Sequence, residues 1–174
     1  MKVILVFVSS LNGKVTRGND PEVRHWSSRS DQIHYDRVWK DSRLIVMGSN
    51  TWNDNVIKPS AERLIVVMTR KPGSYRESEI PGQVEFTSEG PLDLVKKYGV
   101  KGEELMTVVG GPGVATSFLK ESLIDELWLT IEPRLFGKGI SLLTESDLDL
   151  RLKLIDMVRA NEDGTLITKY SIVR

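Results

Sequence analysis

The sequence predicts an α/β fold: a mixed, mainly parallel sheet of eight strands flanked by helices, closing on an antiparallel hairpin at the C-terminal end. Three observations lead there. Short runs rich in Val, Ile and Leu alternate with stretches of helical periodicity, the pattern of strands joined by helical crossovers. The last two apolar runs are joined by Asn161-Glu162-Asp163-Gly164, with no helix between them. An earlier apolar run ends in Gly110-Gly111-Pro112-Gly113 directly before a helical pattern, a strand-to-helix turn with almost no side chains.

The elements follow in order. Residues 2–8 (KVILVFV) form the first strand; a lysine and six apolar residues are too short for a signal peptide. Residues 31–40 (DQIHYDRVWK) form a helix with Ile33, Tyr35 or Asp36, and Val38 toward one side. Strands follow at 44–47 and 64–68, and KPGSYRESEIPG at 71–82 is loop. After a strand at 84–86, PLDLVKKYG (91–99) has Pro at a helix start and Gly at its end. Residues 105–109 are a strand rich in β-branched side chains. From about 113 to 123, Val114, Ala115, Phe118, Leu119 and Leu123 recur at helical spacing. Strands at 127–131, 152–158 and 165–172 complete the sheet, and without repeats or a linker residues 1–174 read as one domain.

Lys plus Arg and Asp plus Glu number 24 each, so no strong field draws nucleic acid or an anionic membrane. No apolar run approaches the roughly 18–20 residues of a membrane span. The absence of cysteine excludes disulfides, thiolate catalysis and cysteine-bound zinc, and His25 and His34 are a poor supply for a metal. The expected setting is cytoplasmic, and the expected partners are a small-molecule substrate and, as an option, a second copy in a homodimer.

The glycine turn has two readings. Gly111-Pro112-Gly113-Val114-Ala115-Thr116 approximates the Rossmann fingerprint with Thr in the third glycine's place, and Glu132 follows Gly111 by 21 residues. A Rossmann half needs two successive βα units, whereas here the next strand leads to Pro133 and then to a hairpin. The second reading joins the glycines to SSLNGKVT (9–16), VMGSNTW (46–52) and VMTRKP (67–72), each following a strand. In a parallel sheet these loops emerge on one edge, where open α/β sheets bind ligands, and a helix N-terminus there favours an anion. Each loop alone is ordinary turn chemistry.

SLNGKVT, GSNTW, VMTR and the stretch VVGGPGVATSFLKESLIDELWLTIEPRLFGKGISLL resemble the dihydrofolate-reductase-like superfamily. The nearest branch is the reductase domain of riboflavin biosynthesis, the C-terminal half of the bifunctional deaminase–reductase. The resemblance runs over about residues 2–172 and implies a dihydrofolate-reductase-like sheet that transfers hydride from NADPH to a small heterocyclic or carbonyl substrate. By position it implies that Gly48, Ser49 and Thr51 face the cofactor's pyrophosphate or adenosine side, with Thr69 and Arg70 beside the ribose. Gly110 and Gly111, joined by a cis peptide in dihydrofolate reductases, would contact the nicotinamide. Gly113, Val114 and Ala115 would bring a helix N-terminus to the pyrophosphate. The loop of Asn12, Gly13 and Lys14 would close over nicotinamide and substrate, with Ser9, Asn12 and Trp26 as substrate contacts.

Departures from the pattern bear on substrate. Val109 stands where riboflavin reductases usually have Glu, WNDNVIKPS replaces an Asp-Asp-Pro stretch, and Ser49 stands where dihydrofolate reductases have Arg. Without cysteine the zinc deaminase signature cannot exist in this chain. Asp31, at the start of the first helix, is the candidate proton-handling residue, with helix N-cap as its competing role. Lys14 is a second candidate, equally at home as a solvated loop lysine. Trp26 is a candidate pocket wall, although core packing is the commoner fate of a tryptophan, and Trp39 and Trp128 read as packing residues. A Rossmann-type enzyme or regulator, and a relative that binds NADP without catalysis, are the alternatives.

Overall fold

The computed structural model describes residues 1–173. Its strands are β1 (Lys2–Ser10), β2 (Leu44–Gly48), β3 (Leu64–Met68), β4 (Val84–Thr87), β5 (Leu105–Val108), β6 (Glu126–Glu132), β7 (Leu152–Arg159) and β8 (Leu166–Ile172). The helices are α1 (Arg29–Asp41), α2 (Ser49–Asp54), α3 (Pro91–Val100) and α4 (Pro112–Lys120). One eight-stranded sheet runs β4-β3-β2-β5-β1-β6-β8-β7. Pairing is parallel from β4 through β6 and antiparallel at β6–β8 and β8–β7. The mainly parallel sheet and its C-terminal hairpin are therefore as the sequence pattern requires.

Helices cover both faces at the centre, so every residue of β2 is buried. On one face Leu94 and Tyr98 of α3 and Phe118 of α4 pack with Val3, Leu5, Val46 and Val108 of the strands. Burying a side chain such as Phe118 contributes about 1.5–3 kcal/mol. On the other face Val38 of α1 packs with Ile4 and Val6, with Tyr35 and Trp128 against them.

Four local expectations change. α1 begins at Arg29 because Ser28 is its cap, its Oγ accepting the Asp31 amide at 3.2 Å. Asp31 is thus the third helical residue and not the cap. Asp31 and Val38 are the buried residues of α1, with Tyr35 between them on the same side; Ile33 lies about 200° round the helix from Asp31 and is 46% exposed. GSNTW is the short helix α2 and not only a turn. α4 ends at Lys120: Ser122 takes φ 55°, and Leu123 and Ser122 donate back to Phe118 and Leu119. That is a Schellman closure, and it moves Leu123 from the helix into its cap.

The loop-like stretch at 71–82 contains a 3-10 segment, Pro72–Ser78, which stacks Tyr75 on Phe86 at 4.5 Å. Between β6 and β7 the chain runs alongside the loop after β1. Leu11 and Val15 donate to the carbonyls of Arg134 and Ile140, and Leu142 donates to that of Gly13. Gly139, at φ +148°, allows this approach: a Cβ there would lie 2.1 Å from the Thr16 carbonyl oxygen.

Candidate active site

The carboxyl ends of the parallel strands open into one cleft of about 1070 Å³. Its walls include Phe7 and Val8 of β1, Gly48 to Thr51 after β2, Thr69 and Arg70 after β3, and Gly110 to Val114 after β5. Parallel pairing forces this convergence, since every such strand ends at the same edge.

The glycine wall comes first. Gly111 caps α4 with extended backbone and Pro112 occupies the first turn, with no side-chain cap. The amides of Gly113 and Val114 fall in the first turn, where a helix has no internal acceptors, and both residues line the cleft. The Gly110–Gly111 peptide is cis, and Gly110 has φ +118°. The Gly110 carbonyl accepts the Gly48 amide at 2.9 Å, locking the two turns together. A Cβ on Gly48 would stand 3.1 Å from Val114 Cγ2, and one on Gly111 would stand 3.3 Å from Thr51 Oγ1. These two glycines therefore let α2, α4 and the β5 turn approach one another. Gly113 differs, because a Cβ there meets nothing within 4 Å. The resulting surface offers unspent amide donors with little side-chain bulk, which suits a phosphate-bearing ligand.

Asp31 reaches the cleft from the opposite side and is only 5% exposed. Burial raises its pKa to about 6, with the Glu132 charge adding to the rise and hydrogen bonding to Thr130 opposing it. The helix start does not occupy this carboxyl. Ser28 Oγ caps the Asp31 amide, while the Ser28 amide donates to Glu132 Oε1 at 2.8 Å. Glu132, 2% exposed, also accepts from Thr165 Oγ1 at 2.7 Å. Glu132 thus fills the reciprocal role that an acid at the third helical residue often plays in a capping box, and Asp31, which occupies that position, remains available to the cleft.

The sequence profile of the RibD C-terminal domain matches residues 54–166. The chain belongs to that family. Uncharacterized protein YwjB of Bacillus subtilis (strain 168) is 23% identical over 159 residues, 88% of each chain. A pyrimidine reductase-like protein from Corynebacterium diphtheriae superposes with TM-score 0.80 at 15% identity, covering 99% of this chain and 92% of its own. Dihydrofolate reductase from Enterococcus faecalis, complexed with NADP(H) and RAB-propyl, superposes with TM-score 0.71 at 17% identity, covering 99% and 97%. The fold is dihydrofolate-reductase-like. The Rossmann alternative fails on topology: β6 pairs with antiparallel β8, and Glu132 is spent on Ser28 and Thr165.

In this RibD C-terminal domain the expected residues divide. Asp31, Gly48, Ser49, Thr51, Thr69, Arg70, Gly110, Gly111, Gly113 and Val114 all line the cleft. Ala115 is fully buried on the core side of α4. Ser9 is buried in β1, and Trp26, 1% exposed, packs edge-on to Phe136 at 5.1 Å; neither lines the cleft. Asn12 exchanges hydrogen bonds with the Phe136 backbone, and Lys14 Nζ donates to Ser141 Oγ at 3.0 Å. Both side chains are engaged away from the cleft, and Val15 and Thr16 are the residues their loop contributes.

Sequence reasoning missed the segment Thr87 to Pro91, which lines the far end of the cleft. A signal was present, since Gly90-Pro91 repeats the Gly111-Pro112 pattern at a helix start after a parallel strand. It also missed Gln32 and Tyr35 beside Asp31. Helical spacing from Asp31 would have found Tyr35.

Proposed function

We propose that the chain is an NADPH-dependent reductase acting on a small heterocyclic or carbonyl substrate held beside Asp31. The reading rests chiefly on one observation: a buried carboxyl with pKa about 6 faces, across one cleft, a wall of uncapped helix amides. The residues fit the cofactor. The Gly113 and Val114 amides would hold its pyrophosphate, with Ser49 and Thr51 alongside, and Thr69 and Arg70 would flank the ribose. NADPH supplies a hydride when bound. The substrate carbon that accepts it needs a proton on its neighbouring nitrogen or oxygen, and Asp31, its pKa raised to about 6, is the group that would donate it. Tyr35, Trp39 and Met47 line the cleft, so a flat ring can lie there out of water.

A smaller, uncharged substrate is favoured over a ribosylaminopyrimidine phosphate. Val109 supplies no carboxylate. Arg24 lines the cleft but is paired with Asp36 at 2.5 Å, so an incoming phosphate would have to displace that carboxylate. The test is NADPH titration of the wild type and of Gly113→Asp, whose new side chain has open space and puts a negative charge on the α4 amides. Wild-type binding should be clear, and the variant should bind at least roughly tenfold more weakly with its fold unchanged. Equal affinities in the two proteins would sink the placement. Oxidation of bound NADPH by a pteridine-like panel, with slower turnover of the phosphorylated pyrimidine, tests the substrate class.

A further inference from the structure

Three residues of α1 line the cleft at four-residue intervals: Asp31, Tyr35 and Trp39. That spacing sets them on one side of the helix, successive residues about 6 Å apart along its axis. Asp31 is the acid proposed above, and Trp39 is an apolar wall. Between them stands a phenol.

The ring of Tyr35 is held by packing. It lies against two clusters, one containing Met47 and Val109 and the other Val6 and Val38. Its centroid is 6.0 Å from that of Trp39, with the ring planes 37° apart. Helical side chains lean toward the N-terminus, which brings the hydroxyl end back toward Asp31. Burial holds the phenol proton well above its ordinary pKa, and the charges of Arg24, Asp31 and Asp36, all lining the cleft, act on it as well. At neutral pH the group is therefore a hydrogen-bond donor.

Among the described residues this hydroxyl has no hydrogen-bond partner. Two other tyrosines contrast with it: Tyr75 accepts from Asn53 at 3.1 Å, and Tyr98 donates to Glu85 at 2.9 Å. The side chains of Val6, Met47 and Val109 offer Tyr35 no acceptor. Phenylalanine would fill the same space without a donor to satisfy, so the hydroxyl carries a cost that a bound ligand can remove.

We propose that Tyr35 is a specificity-determining residue whose hydroxyl donates a hydrogen bond to a carbonyl oxygen of a substrate ring lying against Asp31 and Trp39. The inference rests on the reading that the substrate lies beside Asp31, and it narrows the substrate class. The favoured ring carries its carbonyl within about one helical turn of the atom that Asp31 serves. A ring without an acceptor there would bury the hydroxyl unpaired and bind less well.

Calorimetric titration of the cofactor-free chain with two pteridines, one bearing a ring carbonyl and one without it, tests this near neutral pH. The wild type should prefer the carbonyl-bearing compound by about tenfold. Tyr35→Phe should weaken that compound by about tenfold and leave the other within roughly twofold. The variant should also melt within about 2 °C of the wild type, since no bond inside the chain is lost. A preference that survives in Tyr35→Phe, or an equal loss for both compounds, would overturn the role given to the hydroxyl. So would a clearly lower melting temperature or a misfolded variant, because either reveals a partner inside the chain. Equal affinities of the wild type for the two compounds would overturn the role of Tyr35 alone. Binding of neither would remove the substrate reading together with this inference, while NADPH titration reports separately on the cofactor.

Discussion

Asp31 keeps its proton at a cost that depends on pH. Its folded pKa is about 6 against an ordinary 3.8, so between those values the folded state binds the proton and the unfolded state releases it. Stability from this group is undiminished below 3.8, falls as pH rises, and above about 6 is lower by about 3 kcal/mol. Asp31→Asn should therefore raise the melting temperature at pH 8 and leave it nearly unchanged at pH 4. Thermal melts at both values check this, and an equal shift at both would show that ionisation is not the source. The same substitution should slow turnover about 10²–10⁴-fold while sparing cofactor affinity. Wild-type kcat/KM should fall as pH rises past about 6, because the donor is lost. Arg70 belongs at this scale too: it lines the cleft, is exposed, and has no ion-pair partner among the described residues. Arg70→Ala should weaken NADPH by about tenfold or more through loss of a charge-assisted contact, and hardly affect NADH. Parallel titrations decide it, and matched losses would place the 2′-phosphate elsewhere.

At the scale of elements, α2, α3 and α4 each begin on a glycine without a side-chain cap, and all three starts line the cleft. α1 is the contrast, with Ser28 capping one amide and Glu132 taking another. An element that packs against its own cap gains stability, whereas one that leaves its amides free keeps them for a ligand. Glu132 also ties the end of β6 to Thr165 at the start of β8, so one buried carboxylate joins three elements. Glu132→Ala should strand the Ser28 amide and the Thr165 hydroxyl and destabilise by about 3 kcal/mol. For a chain of this size that lowers the melting temperature by roughly 6–12 °C. A melt within about 2 °C of wild type would mean that these groups find other partners. In the loop after β1 the structure adds partners that the sequence did not reveal. Lys14 and Asn12 looked available, yet the segment 134–142 engages their side chains and backbone.

For the molecule as a whole, periodicity and turn chemistry carried the sheet, its hairpin and the shared edge on which the strand ends emerge. These are local signals: β-branched runs, Gly-Pro at helix starts and Asn-Glu-Asp-Gly between the last strands each bias a few neighbouring residues. They sufficed to put Gly48, Thr69, Arg70 and the Gly110–Gly113 turn at one cleft, because parallel topology converts chain order into position. Tertiary structure alone decided what each side chain is free to do. Asp31 and Ser28 compete for the same helix start in sequence, and only the arrival of Glu132, more than a hundred residues later, leaves Asp31 to the cleft. Ala115 and Val114 are adjacent, but packing against the sheet sends one into the core and leaves the other at the cleft. The bulge in β7, invisible in LKLIDMV, sets which residues that edge presents together. Local preference depends on a residue's neighbours in the chain; burial, partnering and pKa depend on groups that folding brings from far away.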